Sequence, residues 1–295
     1  MPKVSAVVPV FNEEKTVAAV VKTLLSSPLV NEVVCVYDES SDRSLDILKR
    51  FGSQIRLIIL KQRKGKGFAL AEGIAAARGE IIAFFDADLL KLTEQHINDL
   101  ITPLLKGRVQ ATLGYKTADR PVENLKDIRL PVFGDSLSYQ VGHKFPYLIS
   151  PDLSGERAFF KKDLLPCLDD MREARFGVEI IFNNRFKDVA KVALPGLRAP
   201  LKFEKFSFHE AIQRYIEETI DLAQEIGKQE QAKMQDAHLM KVIRGTQIKD
   251  DPAKAKDQLL ALRGKIMQLK NKQVRTFLRR HLSRVIEAVK NSVRS

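Results

Sequence analysis

Asp86-Ala87-Asp88 places two carboxylates one residue apart, directly behind the apolar run Ile81 to Phe85. Hard carboxylate oxygens at that spacing suit Mg²⁺ or Mn²⁺. Taken alone, Asp-x-Asp is as common on an exposed loop as at a metal site, so its setting decides. Two more polar clusters follow apolar runs: Asn12-Glu13 behind Val4 to Val10, and Asp38-Glu39 behind Val33 to Tyr37. With Arg63, Lys64 and Lys66 set against them, such carboxylates can hold a metal diphosphate and read a nucleobase through acceptor oxygens. The Lys64-Gly65-Lys66-Gly67 run has the wrong spacing for the phosphate loop of NTPases. No Gly-x-Gly-x-x-Gly follows the first strand, which argues against a kinase and a dehydrogenase.

The elements that must position these groups alternate in type. Strands are expected over Val4 to Val10, Val33 to Tyr37, Arg56 to Leu60, Ile81 to Phe85 and Gln110 to Tyr115. Between them lie helical patterns. The first carries Val17, Val20, Val21, Leu24 and Leu25 on one face and ends near Ser26 to Pro28. The others run over Ser44 to Phe51, Phe68 to Arg78 with Gly79 as C-cap, and Thr93 to Leu105. Strand, helix, strand repeats of this kind build a mainly parallel sheet. All three polar clusters then fall at the carboxyl edge of the sheet, where loops converge and ligands bind.

From Lys116 to Tyr147 the pattern weakens, with Pro121, Pro131 and Pro146 marking loops. Ser207 to Ser295 reads as helical, its apolar positions Leu259, Leu260, Leu262, Ile266 and Leu269, then Phe277, Leu278, Leu282, Val285, Ile286 and Val289, recurring at helical spacing. The net charge of the 295-residue chain is +12. Twelve Lys and Arg against three Asp and Glu between Asp251 and Ser295 make most of that excess a property of the tail.

Composition narrows the class further. With 44% hydrophobic and 29% charged residues, the chain is neither collagenous, disordered nor a disulfide scaffold. Cys35 and Cys167 lie far apart, and Cys35 sits within an apolar run, so reduced thiols and a cytoplasmic location are expected. No apolar stretch reaches the roughly 18 residues that a membrane span needs.

Four motifs in order, Val7-Val8-Pro9-Val10-Phe11-Asn12-Glu13-Glu14, Val34-Cys35-Val36-Tyr37-Asp38-Glu39-Ser40-Ser41-Asp42, Lys64-Gly65-Lys66-Gly67, and Gly79 to Leu89 with its Asp-x-Asp, resemble the family 2 glycosyltransferases. The resemblance implies the GT-A fold: an α/β, Rossmann-like mixed sheet that binds a nucleoside diphosphate sugar. It covers about the first 115 residues firmly and about 90 more loosely. A catalytic domain over 1–206 and a basic helical region over 207–295 are therefore expected. By resemblance, Pro9, Phe11, Glu13 and Asp38 hold the nucleotide, Lys66 approaches it, and Asp86 and Asp88 hold ribose and metal. Glu39 departs from the pattern, since many relatives have a second Asp there.

The stretches Leu153-Ser154-Gly155-Glu156-Arg157-Ala158 and Arg175-Phe176-Gly177-Val178-Glu179-Ile180 are similar to the pattern of glucosyl-3-phosphoglycerate synthases and, more distantly, mannosylglycerate synthases. In those retaining enzymes a loop glycine and two glutamates, here Gly155, Glu156 and Glu179, surround sugar and acceptor. A later histidine, here His209, completes the metal shell. Each also has a plainer reading: Glu156 as an exposed charge on a turn, Glu179 as a carboxylate favoured by a helix dipole, and His209 as a surface residue at a helix start. Arg120 and Arg185 are candidates to grip an acceptor phosphate or carboxylate. A longer acceptor-loop motif of the phosphoglycerate synthases does not occur between Pro121 and Asp152.

The expectation is a metal-dependent hexosyltransferase with a small anionic acceptor such as 3-phosphoglycerate. Its rivals are a polyprenyl-phosphate glycosyltransferase at the membrane surface and a non-catalytic nucleotide-sugar-binding protein. The basic tail suits helix packing or a homodimer first and peripheral membrane contact second. No nucleic-acid-binding module accompanies its charge.

Overall fold

The computed structural model describes residues 1–117, 154–200, 202–229, 252–272 and 274–279, with isolated positions between 240 and 286. These fall into two compact units, the first comprising residues 1–117 and 154–200 and the second the described residues from 202 onward.

The first unit is built on one seven-stranded sheet: β1 (Val4–Val10), β2 (Glu32–Asp38), β3 (Arg56–Leu60), β4 (Ile81–Phe84), β5 (Ala111–Thr117), β6 (Arg157–Phe160) and β7 (Val189–Pro195). Their order across the sheet is β3-β2-β1-β4-β6-β5-β7. β1 pairs in parallel with β2 and β4, and β2 with β3. β6 runs antiparallel to both neighbours, β4 and β5, and β5 pairs in parallel with β7. The sheet is thus mixed. One reversed strand brings the start of β6 to the same edge as the ends of β1, β2, β4 and β5.

Helices α1 (Val17–Ser26), α2 (Ser44–Lys49), α3 (Lys66–Ala76), α4 (Glu94–Leu105), α5 (Lys161–Leu164), α6 (Leu168–Ala174) and α7 (Val178–Arg185) complete this unit. α1 buries Val17, Val20, Val21 and Leu24 in a cluster with Val8, Val10, Cys35, Ile97 and Leu100. α3 packs in a second cluster with Val7, Val36, Phe159 and Phe182. It lies so close to the sheet that a methyl group at Gly73 would collide with Val7 and press within 3.2 Å of Val36. A run of alanine and glycine suits that face because bulk would lift the helix off.

α3 begins two residues before its expected start and ends at Ala76, with Ala77 extended as its C-cap. Gly79 is therefore not the cap. A Cβ there would sit 2.6 Å from the Ser5 amide and 2.8 Å from the Lys3 carbonyl, so Gly79 lets the chain pass tightly against β1. α2 stops at Lys49, short of Phe51, and a 3₁₀ turn over Gly52–Gln54 follows. α4 is capped by a reciprocal box in which the Thr93 hydroxyl accepts from the His96 amide and the His96 ring accepts from the Thr93 amide.

The second unit is helical: α8 (Lys202–Lys205), α9 (Phe208–Gln229) and α10 (Pro252–Met267). Ile216, Ile220, Ala223 and Ile226 of α9 are buried, as are Leu259, Leu262 and Ile266 of α10 and, beyond it, Leu269, Phe277, Leu278, Leu282 and Ile286. Leu260 lies on the outer face, 40% exposed. The side chains of Val285 and Val289 lie outside the described residues. Among the described residues no helix is long and apolar enough to cross a membrane.

Candidate active site

The carboxyl edge of the sheet gathers its loops by side chains that satisfy backbone amides. Behind β1, Asn12 has a left-handed backbone (φ 56°), and its side-chain oxygen accepts from the Ser41 amide at 2.8 Å. The Asn12 amide donates to Ser40 Oγ and the Glu13 amide to Ser44 Oγ, both at 2.9 Å. The Glu13 carbonyl accepts from the Thr16 and Val17 amides and so opens α1. Loops one and two are thereby a single unit.

Asp38, at the end of β2 and buried, joins loop two to loop three. Its Oδ1 accepts from the Lys64 amide at 2.6 Å and its Oδ2 from the Gly65 amide at 2.7 Å. Gly65 has φ 95°, a conformation that glycine adopts without strain, and it serves as N-cap of α3. Glu39 accepts from the Arg63 amide at 2.9 Å. The Arg63 guanidinium lies 4.3 Å from the centre of the Phe11 ring.

Beyond β1 the site changes character and becomes a buried ion cluster. Lys66 Nζ, in the first turn of α3, lies 2.9 Å from Asp86 Oδ1 and 3.1 Å from Glu179 Oε1. Burial presses on its ammonium, but Asp86 and Glu179, with Glu156 behind them, hold its pKa above the usual lysine range. Glu179 is 1% exposed. Its Oε2 lies 3.0 Å from Arg157 Nε without hydrogen-bond alignment, because that N–H donates to the Ser154 carbonyl. Arg157 Nη1 donates to Asn183 Oδ1 at 2.9 Å.

Glu156 is 0% exposed, which overturns its reading as a surface charge on a turn. Its Oε2 accepts from both Lys116 Nζ and Ser154 Oγ at 2.6 Å. Among the described residues its Oε1 is buried without a hydrogen-bond partner. Lys116 is likewise kept charged against burial, by Glu156 first and then by Asp86 and Asp88. Three cations, Lys66, Lys116 and Arg157, thus face four carboxylates, Asp86, Asp88, Glu156 and Glu179.

Gly155 lies in the middle of this cluster. A Cβ there would overlap the Asp86 carboxylate and stand 2.7 Å from Lys66 Nζ. Glycine is what lets the two charges meet.

The structure therefore gathers Lys66, Asp86, Gly155, Glu156 and Glu179 into one cluster, with Asp88 two residues from Asp86. Pro9, Phe11, Glu13 and Asp38 line the same edge on the β1 and β2 side. His209 falls in the first turn of α9, with its side chain outside the described residues, as is Arg120. Arg185 is exposed at the end of α7 and donates to the Asp163 carbonyl at 3.2 Å. Among the described residues no group of three His, Cys, Asp or Glu is arranged as a metal cage. Sequence reasoning missed Lys116 as a site residue and gave Arg157 no role. The signal was slight: a lysine one residue past an expected strand, and an arginine inside a quoted motif.

The family model for glycosyl transferase family 2 matches residues 5–169. A glucosyl-3-phosphoglycerate synthase of Mycolicibacterium smegmatis is 35% identical over 109 residues, 35% of this chain and 36% of the relative. The synthase of Petrotoga mobilis is 29% identical over 164 residues, 52% of this chain and 49% of the relative. The matched stretches thus span half or less of these curated relatives. Among solved structures, the glucosyl-3-phosphoglycerate synthase from Mycobacterium tuberculosis, in complex with Mn²⁺, UDP-glucose and phosphoglyceric acid, superposes with a TM-score of 0.55 at 22% identity. That match covers 77% of this chain and 80% of the other, and the likeness is one of fold. Since the family model spans more than half of the sequence, this chain belongs to glycosyl transferase family 2.

Proposed function

We propose that this chain moves a hexose from a UDP- or GDP-linked sugar to an acceptor hydroxyl, with Mg²⁺ or Mn²⁺ bound and with retention at the anomeric carbon. The observation that supports this best is the Gly155 gap, through which a buried Lys66 bridges Asp86 and Glu179 beside Glu156. Such a cluster has an energetic cost that packing does not repay, as expected of residues held for chemistry.

Asp86 and Asp88 fit a divalent cation, since Mg²⁺ takes one or two protein carboxylates and leaves its other positions to water and phosphate. When bound, the dication offsets the charge that develops on the departing diphosphate. The chain's own residues do the rest. Pro9, Phe11, Glu13 and Asp38 flank the nucleotide from loops that are already tied together. Lys66 stays cationic where negative charge arrives. Gly155 lets Asp86 and Lys66 close up beside the sugar, and the Oε1 of Glu156, unpartnered among the described residues, accepts a substrate hydroxyl, which repays its desolvation. Glu179 holds Lys66 in place. The small excess of negative charge in the cluster favours entry of the cation and, with it, of its diphosphate complex. A small anion such as 3-phosphoglycerate as acceptor is supported by the likeness to the synthases.

The test is thermal unfolding of the purified protein with UDP and with GDP, each with and without Mn²⁺. A metal-dependent rise with one nucleotide, lost in Asp88→Asn, is expected and names the donor class. No rise with either nucleotide overturns the donor site.

A further inference from the structure

The site's elements stand in a fixed order along the sheet edge. Asp38 ends β2, Phe11 and Asn12 follow β1, Asp86 and Asp88 follow β4, Glu156 precedes β6, and Lys116 lies near the end of β5. A donor laid along this edge with its base toward β2 and its diphosphate at β4 presents its sugar toward β6. The acceptor must then enter from β5. Two strand steps, about 10 Å, separate β4 from β5, which is the length of a sugar ring with its substituents rather than of a direct diphosphate contact.

Among the described residues Lys116 is the cation on β5, paired with Glu156 and within electrostatic reach of Asp86 and Asp88. Glu156 uses one of its three N–H donors, at 2.6 Å. The lysine side chain is still 23% exposed, whereas Glu156 beneath it is fully buried. Its neighbours are committed elsewhere: Lys66 lies between Asp86 and Glu179, and Arg157 binds the Ser154 carbonyl and Asn183. Arg185, a candidate for the acceptor's anion, points its Nε at the Asp163 carbonyl instead.

We propose that Lys116 binds the anionic group of the acceptor and makes this site select acceptors that carry a phosphate or carboxylate. This rests on the transferase reading above. With one N–H on Glu156 and the others on the acceptor's anion, the ammonium fixes the distance between that anion and the unpartnered Glu156 oxygen. It thereby sets which hydroxyl of the acceptor can reach the sugar.

The test uses the full chain with UDP or GDP and Mn²⁺, and three probes: 3-phosphoglycerate, glycerate and uncharged glycerol. Calorimetric titration of each into the nucleotide–metal complex is expected to give binding of the two anions and none of glycerol. In Lys116→Gln, anion binding should weaken at least tenfold while stabilisation by nucleotide and metal is retained, and Lys116→Arg should recover most of the loss. Because Lys116→Gln strands the Glu156 carboxylate and can fail to fold, the double variant Lys116→Gln/Glu156→Gln is titrated beside Glu156→Gln alone and should bind the anions at least tenfold more weakly than that single variant. Unchanged anion binding in these variants, equal binding of glycerol and glycerate, or no anion binding by the parent chain would each overturn the inference while leaving the donor site intact. A selective loss of nucleotide stabilisation would also overturn it, by moving Lys116 to the donor phosphates. Absence of any nucleotide effect in the parent chain overturns the donor-site reading and this inference with it.

Discussion

The two halves of the sheet edge are built by different physics. On the β1–β2–β3 side, short side chains accept from backbone amides of neighbouring loops: Asn12 from Ser41, Ser40 and Ser44 from Asn12 and Glu13, and Asp38 from Lys64 and Gly65. On the β4–β6–β5 side, long charged side chains meet one another in the interior. The first half is a frame in which each bond contributes about 1 kcal/mol and loops are held in shape. The second is a set of mutually dependent charges, where losing one member strands the rest. A pocket for a planar base needs shape, and a reaction centre needs charge held in place.

Gly155→Ala is the severest test of the charged half. The added methyl must displace the Asp86 carboxylate or the Lys66 ammonium, and a shift of about 1 Å at a reacting centre costs on the order of a hundredfold in rate. Transfer assays should show that loss in protein that still folds, with the unfolding midpoint lowered by the strain of an overpacked site, about 1–3 kcal/mol. An active Gly155→Ala protein would mean that the cluster is structural.

Removal of one charge probes mutual dependence. Lys66→Met leaves Asp86 and Glu179 without their shared cation, and breaking a buried pair in this way costs about 3–5 kcal/mol. Urea unfolding would read it. A cost below about 1 kcal/mol would place the cluster in effective contact with water and erase the contrast with the other half.

The frame should respond more gently. Asp38→Asn turns one acceptor of the Lys64–Gly65 turn into a donor that faces an amide, at a cost of about 1–3 kcal/mol. Hydrogen exchange at the Lys64 and Gly65 amides should accelerate while that at the β4 and β6 amides does not. Uniform acceleration would show that the two halves open together.

Alkali separates the halves with the smallest effect. Burial pushes the Cys35 thiol in β2 up to about 12, from an ordinary thiol value of 9.0. A raised folded pKa means stability that is full below the unfolded value and lost as pH climbs toward the folded one. Stability should fall from about pH 9 by about 1.4 kcal/mol per pH unit. Lys66 and Lys116 are also raised, but from 10.5, so their contribution is intact until pH passes that value. Burial raises the Cys167 thiol in the same window, so unfolding titrations between pH 8 and 10.5 should lose part of their slope in Cys35→Ala and the rest in Cys35→Ala/Cys167→Ala.

The same contrast decides what was legible in the sequence. β1 and β3 are found where the apolar runs place them, and Asn12, Asp38 and Asp86 follow their strands directly, so loop motifs betray the frame. The charged half joins residues far apart in the chain: Lys116 with Glu156, and Lys66 with Glu179. No local period reports such a pairing. Arg157–Phe160, only four residues long, carries no alternation from which a strand can be read. The site role expected of Glu156 rests on the resemblance, and an exposed turn stays open beside it in the sequence because nothing nearby reveals that β4 and β5 enclose it. The offset at Gly79 has a similar cause, since a glycine that admits a neighbouring strand looks in sequence like one that ends a helix.

The reversed strand also bears on how such an enzyme diversifies. Because β6 runs against its neighbours, the end of β5 at Thr117 and the start of β6 at Arg157 lie on one edge of the sheet, and strand register fixes both. Asp86, Lys66 and Glu179 belong to other segments of the chain. A graft that replaces the stretch from 118 to 153 alone therefore keeps every residue of the charged cluster, and a change of substrate range in such a chimaera would trace to the grafted segment.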